Sequence, residues 1–330
     1  MPRAAILTFD HCYASSVAGF ADILLVANSH LRISRATASE LFEWHFVSLS
    51  GGPVIASNGL PLHTQKPGSQ DHYDLVFVPS IFYGGHRQFD RFLNQQERVC
   101  RWLASQWRAG AWIAANCTGT FILAQTGLLD ARTATTTWWL ERQFRNKFPA
   151  VDLQMQPVLT EMDRLICAGA SASYLIQTVR VIERFAGPVI ASQCAKTMLI
   201  DVNQTNQIPY LPLLAKKDHS DALVHRAQNW LQNNMTKSVR ISELSDALAV
   251  SDRTLTRRFR SVLDQTPLAY LQDLRLESAR ALLDTSSQSV DEIAGQVGYS
   301  DTSSFTRLFR QRVGMSPGAY RDRFQIRAVE

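Results

Sequence analysis

An internal repeat in the last third of the chain places the strongest constraint on its fold. The stretch SDRTLTRRFRSVLDQTPLAYL (251–271) matches DTSSFTRLFRQRVGMSPGAYR (301–321) at an offset of 50 residues. Upstream, ISELSDALAVS (241–251) matches VDEIAGQVGYS (290–300) at an offset of 49, so one inserted residue reconciles the two offsets. Apolar residues in each copy recur every three or four positions on both sides of a short break. Each copy is therefore predicted to form a helix, a tight turn and a second helix.

The second helix of each copy combines an apolar stripe with a basic and hydroxyl-bearing face. Ser251 or Asp252 is suited to cap the first of these helices, and Asp301 the second. The residues predicted to face inward are Leu255, Phe259 and Val262 in the first copy and Phe305, Phe309 and Val313 in the second. The residues predicted to face outward are Arg253, Thr254, Thr256, Arg257, Arg260, Thr302, Ser303, Thr306, Arg307 and Arg310. This outward face suits an anionic partner.

Two helix-turn-helix units with basic outer faces indicate a DNA-binding domain. In such units the second helix enters the major groove, where arginine reads guanine edges and threonine or serine adapts to neighbouring bases. The predicted units span 241–263 and 290–313, and a continuous helix over 266–285 joins them. A solvated charged face is the alternative for one isolated helix. Two matching copies, and a formal net charge of +5, favour double-stranded DNA as the partner.

The preceding part of the chain alternates short apolar runs with helical ones. A hairpin is also predicted there, turning at Met162-Asp163. Near-continuous apolar strands separated by helices predict a doubly wound, mostly parallel α/β sheet of the flavodoxin-like type, covered on both faces. The strand-like runs are AAILTF (4–9), FEWHFVSLS (42–50), YDLVFVPS (73–80) and AWIAAN (111–116).

The pattern breaks around Pro209 and Pro212, whose polar flanks are typical of a linker. We therefore predict a first domain over 1–212, a linker over 213–221 and an all-α domain over 222–326. The first apolar run stops too early for a signal peptide, and no window is apolar enough to span a membrane. The cysteines, five in number, include no paired motif, so we expect reduced thiols in a cytoplasmic protein, with no metal site and no cofactor.

The stretch AANCTGT (114–120) stands between a predicted strand and an apolar helix. This is the strand-turn-helix geometry of a nucleophile elbow, which exposes a side chain at the carboxyl end of a parallel sheet. A helix N-terminus there lowers a thiol pKa and can bind an anion. Cys117 is therefore the candidate centre of a pocket. The other candidate lining residues are Thr118, Ser16, Thr137, Trp138, Tyr13 and Tyr83, for whose aromatic members core packing is the alternative role.

Both parts of the chain resemble known families. VDEIAGQVGYSDTSSFTRLFRQRVGMSPGAYR resembles the second motif of AraC/XylS-type transcriptional regulators, which implies a seven-helix domain with two helix-turn-helix units. AANCTGTFILAQTGLLDARTATTTWW resembles the ThiJ/PfpI branch of class I glutamine-amidotransferase-like domains, especially the branch fused to AraC-type domains in GlxA-type regulators. The combination implies a transcription factor whose first domain senses a small metabolite.

The elbow departs at three positions from the residues that its relatives have there. Ser16 stands where an acid is expected, Thr118 where proteolytic relatives have histidine, and Thr137 where the regulator branch often has histidine. Asp22 is the candidate replacement for the missing acid, and its helical context favours the alternative that it faces solvent. A thiol without a base or an orienting acid lacks the usual means of activation. We therefore expect no enzyme activity, with a thiol-dependent amidase, peptidase or glyoxalase-like enzyme as the alternative and a ligand-free architectural DNA-binding protein as a third reading.

The resemblance also implies the partners and the mode of action. We expect a transcriptional activator that binds operator DNA and RNA polymerase, forms a homodimer through its first domain, and responds to a small-molecule effector. The family tends to answer to nitrogenous metabolites such as amino acids and quaternary amines, so we expect an effector of that class.

Overall fold

The computed structural model describes residues 2–34, 42–68, 71–214 and 219–326. The chain divides into two compact units, Met1–Gln207 and Ile208–Glu330, each with its own hydrophobic core. In the described parts of the chain, no helix combines the length and the hydrophobicity needed to cross a membrane.

The first unit contains a six-stranded sheet in the order β2-β1-β5-β6-β10-β9 and two small two-stranded sheets. The strands are β1 (Arg3–Leu7), β2 (Glu43–Val47), β3 (Gly52–Ile55), β4 (Pro61–Thr64), β5 (Leu75–Val78), β6 (Trp112–Asn116), β7 (Thr133–Ala134), β8 (Asp152–Leu153), β9 (Leu159–Met162) and β10 (Leu165–Ala168). All neighbours in the large sheet pair in parallel except β9, which is an antiparallel edge. The sequences LVFV of β5 and LICA of β10 are buried throughout, as expected for strands covered on both faces.

The helices of the first unit pack on the large sheet in two groups. They are α1 (Ala14–Ser34), α2 (His86–Asn94), α3 (Glu97–Arg108), α4 (Gly119–Gln125), α5 (Glu141–Lys147) and α6 (Tyr174–Thr197). Helix α1 packs against α6, and α3 against α4, and each pair also contacts the central strands. The doubly wound, mostly parallel sheet predicted from the apolar runs is confirmed.

The four predicted strands correspond to β1, β2, β5 and β6, and the predicted hairpin is formed by β9 and β10. Its turn lies one residue later than expected, at Asp163 and Arg164, which both have positive φ (49° and 64°). Two consecutive residues of that conformation match the twist of a two-residue hairpin. The sequence offers no glycine there, which is why the position was misplaced.

Seven helices are described in the second unit. They are α7 (Ala222–Asn234), α8 (Ile241–Ala247), α9 (Asp252–Leu263), α10 (Pro267–Thr285), α11 (Val290–Gln296), α12 (Thr302–Val313) and α13 (Pro317–Phe324). They build two separate cores, and α10 contributes to both. Leu271 packs in the core of α7, α8 and α9, whereas Leu276 and Leu283 pack in the core of α11, α12 and α13. The sequence repeat thus produces two small cores that share one helix.

The division between the units falls after Gln207, five residues before the expected end of the first domain at 212. The reason is local, because Pro209 is buried within the second unit and the backbone carbonyls of Pro209 and Leu211 accept hydrogen bonds from Arg280 on α10. The expected linker 213–221 includes residues 215–218, which lie outside the described residues.

Candidate nucleic-acid interface and cysteine elbow

Both second helices of the repeat are capped by a side chain at their first turn. The Ser251 hydroxyl accepts a hydrogen bond from the Thr254 N–H (3.2 Å) at the start of α9. The Asp301 carboxylate accepts from the backbone N–H groups of Ser303 (3.1 Å) and Ser304 (2.8 Å) at the start of α12. Ser251, and not Asp252, is therefore the cap of the first helix. These caps satisfy donors that a helix start would otherwise leave free.

The buried stripe of α9 consists of Leu255, Phe259 and Leu263, and the prediction of Val262 was wrong. Val262 is only half-buried, because positions four apart on a helix share a face and Leu263 continues the series from Phe259. Leu263 is also the residue that corresponds to Val313 at the offset of 50. The stripe predicted for α12 is as expected. It consists of Phe305, Phe309 and Val313.

The structure places the predicted DNA-binding residues on the solvent side of α9 and α12. The exposed ones are Arg253, Arg257, Arg260, Ser303, Arg307 and Arg310, and the half-buried ones are Thr254, Thr256, Thr302 and Thr306. None of these five arginines forms an ion pair with a residue that the structure describes. These five charges are therefore not paired at contact distance with any described residue and can meet an external anion, although Arg307 also acts electrostatically on Asp301.

Two neighbouring arginines have a different, structural role that the sequence did not reveal. The Arg258 guanidinium lies 2.7 Å from a carboxylate oxygen of Asp221, the residue that caps α7. On α12, Arg312 Nε lies 3.6 Å from Asp273 Oδ1 on α10. These pairs connect α9 to the N-cap of α7 and α12 to α10. The charge pattern alone does not separate them from the free arginines.

One arginine of α10 ties the first half of the domain to the turn of the second helix-turn-helix unit. Arg275 donates hydrogen bonds to the carbonyls of Met235 (2.7 Å) and Lys237 (2.6 Å), and its guanidinium lies 5.3 Å from the Tyr299 ring centroid. The turn residue Gly298 has φ +94°, and a Cβ on it would lie 2.6 Å from the Met235 carbonyl oxygen. Glycine is therefore required at this close approach.

Helix α10 sets the distance between the two helix-turn-helix units. Its 19 residues correspond to about 28 Å. Successive major-groove faces of DNA are roughly 34 Å apart. The two second helices are therefore attached to a spacer of suitable length.

The cysteine elbow is present at the end of β6. Cys117 has φ +54°, and its N–H donates to the Ala168 carbonyl of β10 (2.9 Å). A Cβ at Gly119 would lie 2.6 Å from the Pro79 carbonyl oxygen and 2.7 Å from that of Val78. The tight strand-to-helix turn therefore needs glycine at the start of α4, and its strained cysteine matches the geometry of a nucleophile elbow.

The thiol of Cys117 is enclosed and neutral near pH 7. Cys117 is 1% exposed, and burial raises the pKa of its thiol to about 11. The Thr118 N–H and the neighbouring hydroxyls of Ser80, Thr137 and Thr118 lower this pKa, but burial outweighs them. Within the described residues, no charged side chain contributes to this pKa. The helix N-terminus therefore does not produce a thiolate here.

The structure brings only some of the predicted pocket residues to the thiol. Thr137 is buried beside it, and Tyr13 is half-buried and close enough to interact electrostatically. Thr118 uses its hydroxyl on the backbone of Ile81, donating to its carbonyl (2.8 Å) and accepting from its N–H (2.7 Å). Ser16 donates to the Tyr13 carbonyl (2.9 Å). Ser16 therefore holds the backbone at Tyr13, and Thr118 holds the backbone at Ile81 while also lying next to the thiol.

The predicted aromatic residues lie at varying distances from the centre. Tyr83 packs edge-on against His86 and Phe89, with ring centroids 5.7 and 5.5 Å away. Trp138 is half-buried and packs edge-on against the more exposed Trp139 at 5.4 Å. Tyr83 thus has the core-packing role that was its alternative.

Two buried polar residues at the elbow were missed by the sequence analysis. Ser80 follows β5 and contacts the thiol, and Asn116 is the last residue of β6. The Asn116 amide donates to the Ser171 carbonyl (3.0 Å) and to Ser80, and accepts from the Tyr174 N–H (3.1 Å). Their positions at the carboxyl ends of adjacent parallel strands are the signal that would have found them.

A carboxylate or a group of metal ligands beside Cys117 would support acid or metal chemistry at the elbow. Asp22 is exposed on α1. Across the described ranges, no group of three or more His, Cys, Asp or Glu side chains could hold a metal ion. The five cysteines are buried and unbonded to one another.

Comparisons with known proteins agree with both parts of the structure. Residues 244–323 match the helix-turn-helix domain family, and residues 22–173 match the DJ-1/PfpI family. The HTH-type transcriptional regulator CdhR of Pseudomonas aeruginosa is 27% identical over 317 residues, which cover 95% of this chain and 90% of that protein. The HTH-type transcriptional regulator GbdR of the same species is 25% identical over 312 residues, covering 94% and 82%. The crystal structure of a candidate transcriptional regulator from Vibrio parahaemolyticus covers 60% of this chain and 98% of its own at 20% identity and a TM-score of 0.51, which shows the fold alone.

Two capped helix-turn-helix units on a shared helix define a DNA-binding transcriptional regulator. More closely, the chain combines an AraC-type helix-turn-helix domain with a DJ-1/PfpI domain ahead of it, the combination that GlxA-type regulators have. The predicted combination of domains and the predicted DNA-binding regulator are thereby confirmed, and the regulator is favoured over the enzyme alternative.

Proposed function

We propose that this regulator binds operator DNA through α9 and α12 and that its first domain senses a small molecule at the elbow without catalysing a reaction. The observation that carries the DNA assignment is the division of the arginines on these helices. Arg258 and Arg312 are paired with carboxylates, whereas the outward arginines have no such partner among the described residues.

The position of each arginine along its helix suggests its role on DNA. Arg253 and Arg257 lie in the first half of α9, and Arg307 lies in the first half of α12, the part of such a helix that contacts base edges. Arg260 and Arg310 lie in the last turns, where phosphate contacts are more common. We assign the first three to base recognition and the last two to the DNA backbone.

The surroundings of Cys117 support binding in preference to catalysis. A thiol with a pKa near 11 is a poor nucleophile at neutral pH, and no base or carboxylate among the described residues activates it. The Thr137 hydroxyl is buried with this thiol as its polar neighbour, and thiols are weak hydrogen-bond partners. A polar atom of a ligand would be a better partner for Thr137.

We place the effector in the class of small nitrogenous metabolites. The family resemblance suggests this class, and the half-buried rings of Tyr13 and Trp138 offer aromatic faces to a cation. The relatives CdhR and GbdR are named as HTH-type transcriptional regulators, which agrees with a regulatory role.

Activation, contact with RNA polymerase, homodimerisation through the first domain and action in the cytoplasm complete the proposal, and all four rest on the family resemblance. In this scheme the effector binds one conformation of the first domain more tightly and thereby shifts the population of DNA-binding states.

A thermal-shift screen of the full chain against amino acids and quaternary amines tests the sensing role. We expect at least one of them to raise the melting temperature and Trp138→Ala to reduce that shift, with Trp139→Ala as the matched control. Cys117→Ser should keep DNA binding under either reading. An amidase, peptidase or glyoxalase-like activity lost in Cys117→Ser would support the enzyme, and the absence of any shift across the panel would support an architectural protein.

A further inference from the structure

The last residue of the first unit is fastened inside that unit. Gln207 is 3% exposed, and its N–H donates to the Gln156 carbonyl (2.8 Å). Its side-chain amide donates to Thr135 Oγ1 (3.1 Å) and to the Pro157 carbonyl (3.3 Å). Gly169 leaves room for it, because a Cβ there would lie 2.5 Å from Gln207 Oε1. The chain therefore leaves the first domain from a buried anchor.

This anchor is adjacent to the elbow through three consecutive threonines. Thr135 accepts from the Gln207 amide, and the Thr136 hydroxyl donates to the Cys117 carbonyl (2.7 Å). Thr137, the next residue, interacts with the Cys117 thiol. A movement of the threonines at the elbow would therefore act directly on Gln207.

The residues that follow are fastened to the second unit by one buried arginine. Arg280 of α10 is 9% exposed and donates to the carbonyls of Pro209 (2.6 Å) and Leu211 (2.7 Å). Its Nε donates to the Tyr320 hydroxyl of α13 (3.1 Å). A buried guanidinium with these partners holds the incoming chain against α10 and α13, because removing them would leave a buried charge unsatisfied.

Further contacts extend this attachment along the same side of the domain. The Leu213 N–H donates to Glu277, which also pairs with Arg280 (3.2 Å). The Tyr210 ring packs edge-on against Phe324 of α13 with centroids 4.9 Å apart. Although these residues precede the first helix-turn-helix unit in sequence, the contacts named here are with α10 and α13, which pack around the core of the second unit.

We propose that residues 207–213, here called the strap, transmit the state of the elbow to the second helix-turn-helix unit. Only Ile208 separates the anchored Gln207 from the anchored Pro209, and one residue spans at most about 3.6 Å, so the strap has little slack. A displacement of Gln207 therefore pulls on Arg280 and changes the setting of α10 and α13. The biological purpose of this coupling rests on the proposed sensing role.

The test removes the side-chain anchor at Gln207 and, separately, lengthens the chain between the two anchors. Three full-length variants are compared with the parent chain: Gln207→Ala, an insertion of two glycines between Gln207 and Ile208, and both together. The same insertion between Asn58 and Gly59, in the exposed turn of the β3–β4 hairpin, is the matched control. The probe is a duplex selected by the parent chain from a random-sequence pool.

We expect Gln207→Ala to change the Kd for this duplex by about 2- to 30-fold, the range of coupling found for residues between two sites. Hydrogen exchange should change in residues 290–324 and not in residues 241–263. In the background of the strap insertion the same substitution should have less than a twofold effect, whereas the control insertion should leave its full effect. If Gln207→Ala does not fold, Gly169→Ala replaces it, because the added methyl group displaces the Gln207 amide.

Equal effects of Gln207→Ala with and without the strap insertion would overturn the proposal, as would an exchange response confined to the first domain. An equal response of both helix-turn-helix units would also contradict it. These measurements use no effector, so they remain distinguishable from the thermal-shift screen. A strap that couples while no metabolite binds would refute the sensing role alone.

Discussion

Replacing Asp273 with asparagine should stabilise the second domain at neutral pH. The Asp273 side chain is 6% exposed on α10, and its Oδ1 makes no hydrogen bond with a described residue. Burial raises the pKa of this carboxyl to about 6, although Arg312 lowers it, and Glu277 adds to the rise. The ionised carboxylate is therefore a cost that the domain carries at pH 7.

The magnitude follows from the difference in pKa between the folded and unfolded states. A rise from 3.8 to about 6 corresponds to about 3 kcal/mol at roughly 1.4 kcal/mol per unit. Because the folded state holds the proton more tightly, this cost is absent below about pH 4 and fully present above about pH 6. The stability of the parent domain should therefore fall as the pH rises through that window. Asparagine does not ionise, so the variant should gain about 1–3 kcal/mol at pH 7.

Hydrogen exchange of α10 and α12 in the full chain, measured in a urea series between pH 4.5 and 7 and corrected for intrinsic rates, gives the stability of this domain. Asp273→Asn should remove most of the slope with pH. Asp264→Asn, in an exposed turn, makes the same change in composition and should keep the slope of the parent chain. A variant that is less stable at pH 7, or that retains the parent slope, would refute the electrostatic reasoning.

The remaining predictions concern the turns, a cap and the thiol. Ala249→Gly should raise the free energy of unfolding in urea by up to about 1 kcal/mol, since Ala249 has φ +54°. Gly298→Ala should lower it by about 1–3 kcal/mol, because a Cβ there meets the Met235 carbonyl oxygen. Changes of the opposite signs would contradict the turn geometry. Ser251→Ala should cost about 1 kcal/mol and accelerate exchange at the start of α9, and unchanged exchange would argue against this cap. Cys117 should react with iodoacetamide only after unfolding in urea, as read by mass spectrometry, so rapid labelling of the native chain at pH 7 would show an activated thiolate.

The sequence predicted the DNA-binding half well because its signals are local. Every described α-helix of that half except α8 begins with an N-cap side chain that accepts from its first turn, and the two copies match one another at a nearly constant offset. The error at Val262 arose within one turn of α9, where two adjacent apolar residues compete for the core and only packing decides between them. The repeat itself, which aligns Leu263 with Val313, contained the correct answer.

The roles of Arg258 and Arg312 could not be predicted in the same way. Their partners, Asp221 and Asp273, lie on other helices more than 30 residues away, and no local pattern connects them. In the sequence, the paired arginines cannot be told apart from the outward arginines of the same helices. Only the tertiary structure shows which arginines are paired with a carboxylate and which are not.

Prediction from the sequence was limited at the elbow for the same reason, because the surroundings of Cys117 come from distant segments. The strand-turn-helix pattern located Cys117 and its strained turn, but the charge state of the thiol depends on its enclosure and on Ser80 and Thr137, which come from distant segments. A helix N-terminus predicts a lowered thiol pKa, and burial reverses the direction. The buried anchor at Gln207 had no sequence signal, because it follows from room left by Gly169.

The central claim is that the outward arginines of α9 and α12 contact DNA while their paired neighbours do not. Binding of the full chain to its selected duplex should be measured for Arg257→Ala, Arg307→Ala and Arg258→Ala at several salt concentrations. We expect the first two to weaken binding by about 1–3 kcal/mol each if they read bases, and Arg258→Ala to act mainly on stability. Unchanged affinity in Arg257→Ala and Arg307→Ala at every salt concentration would contradict the account.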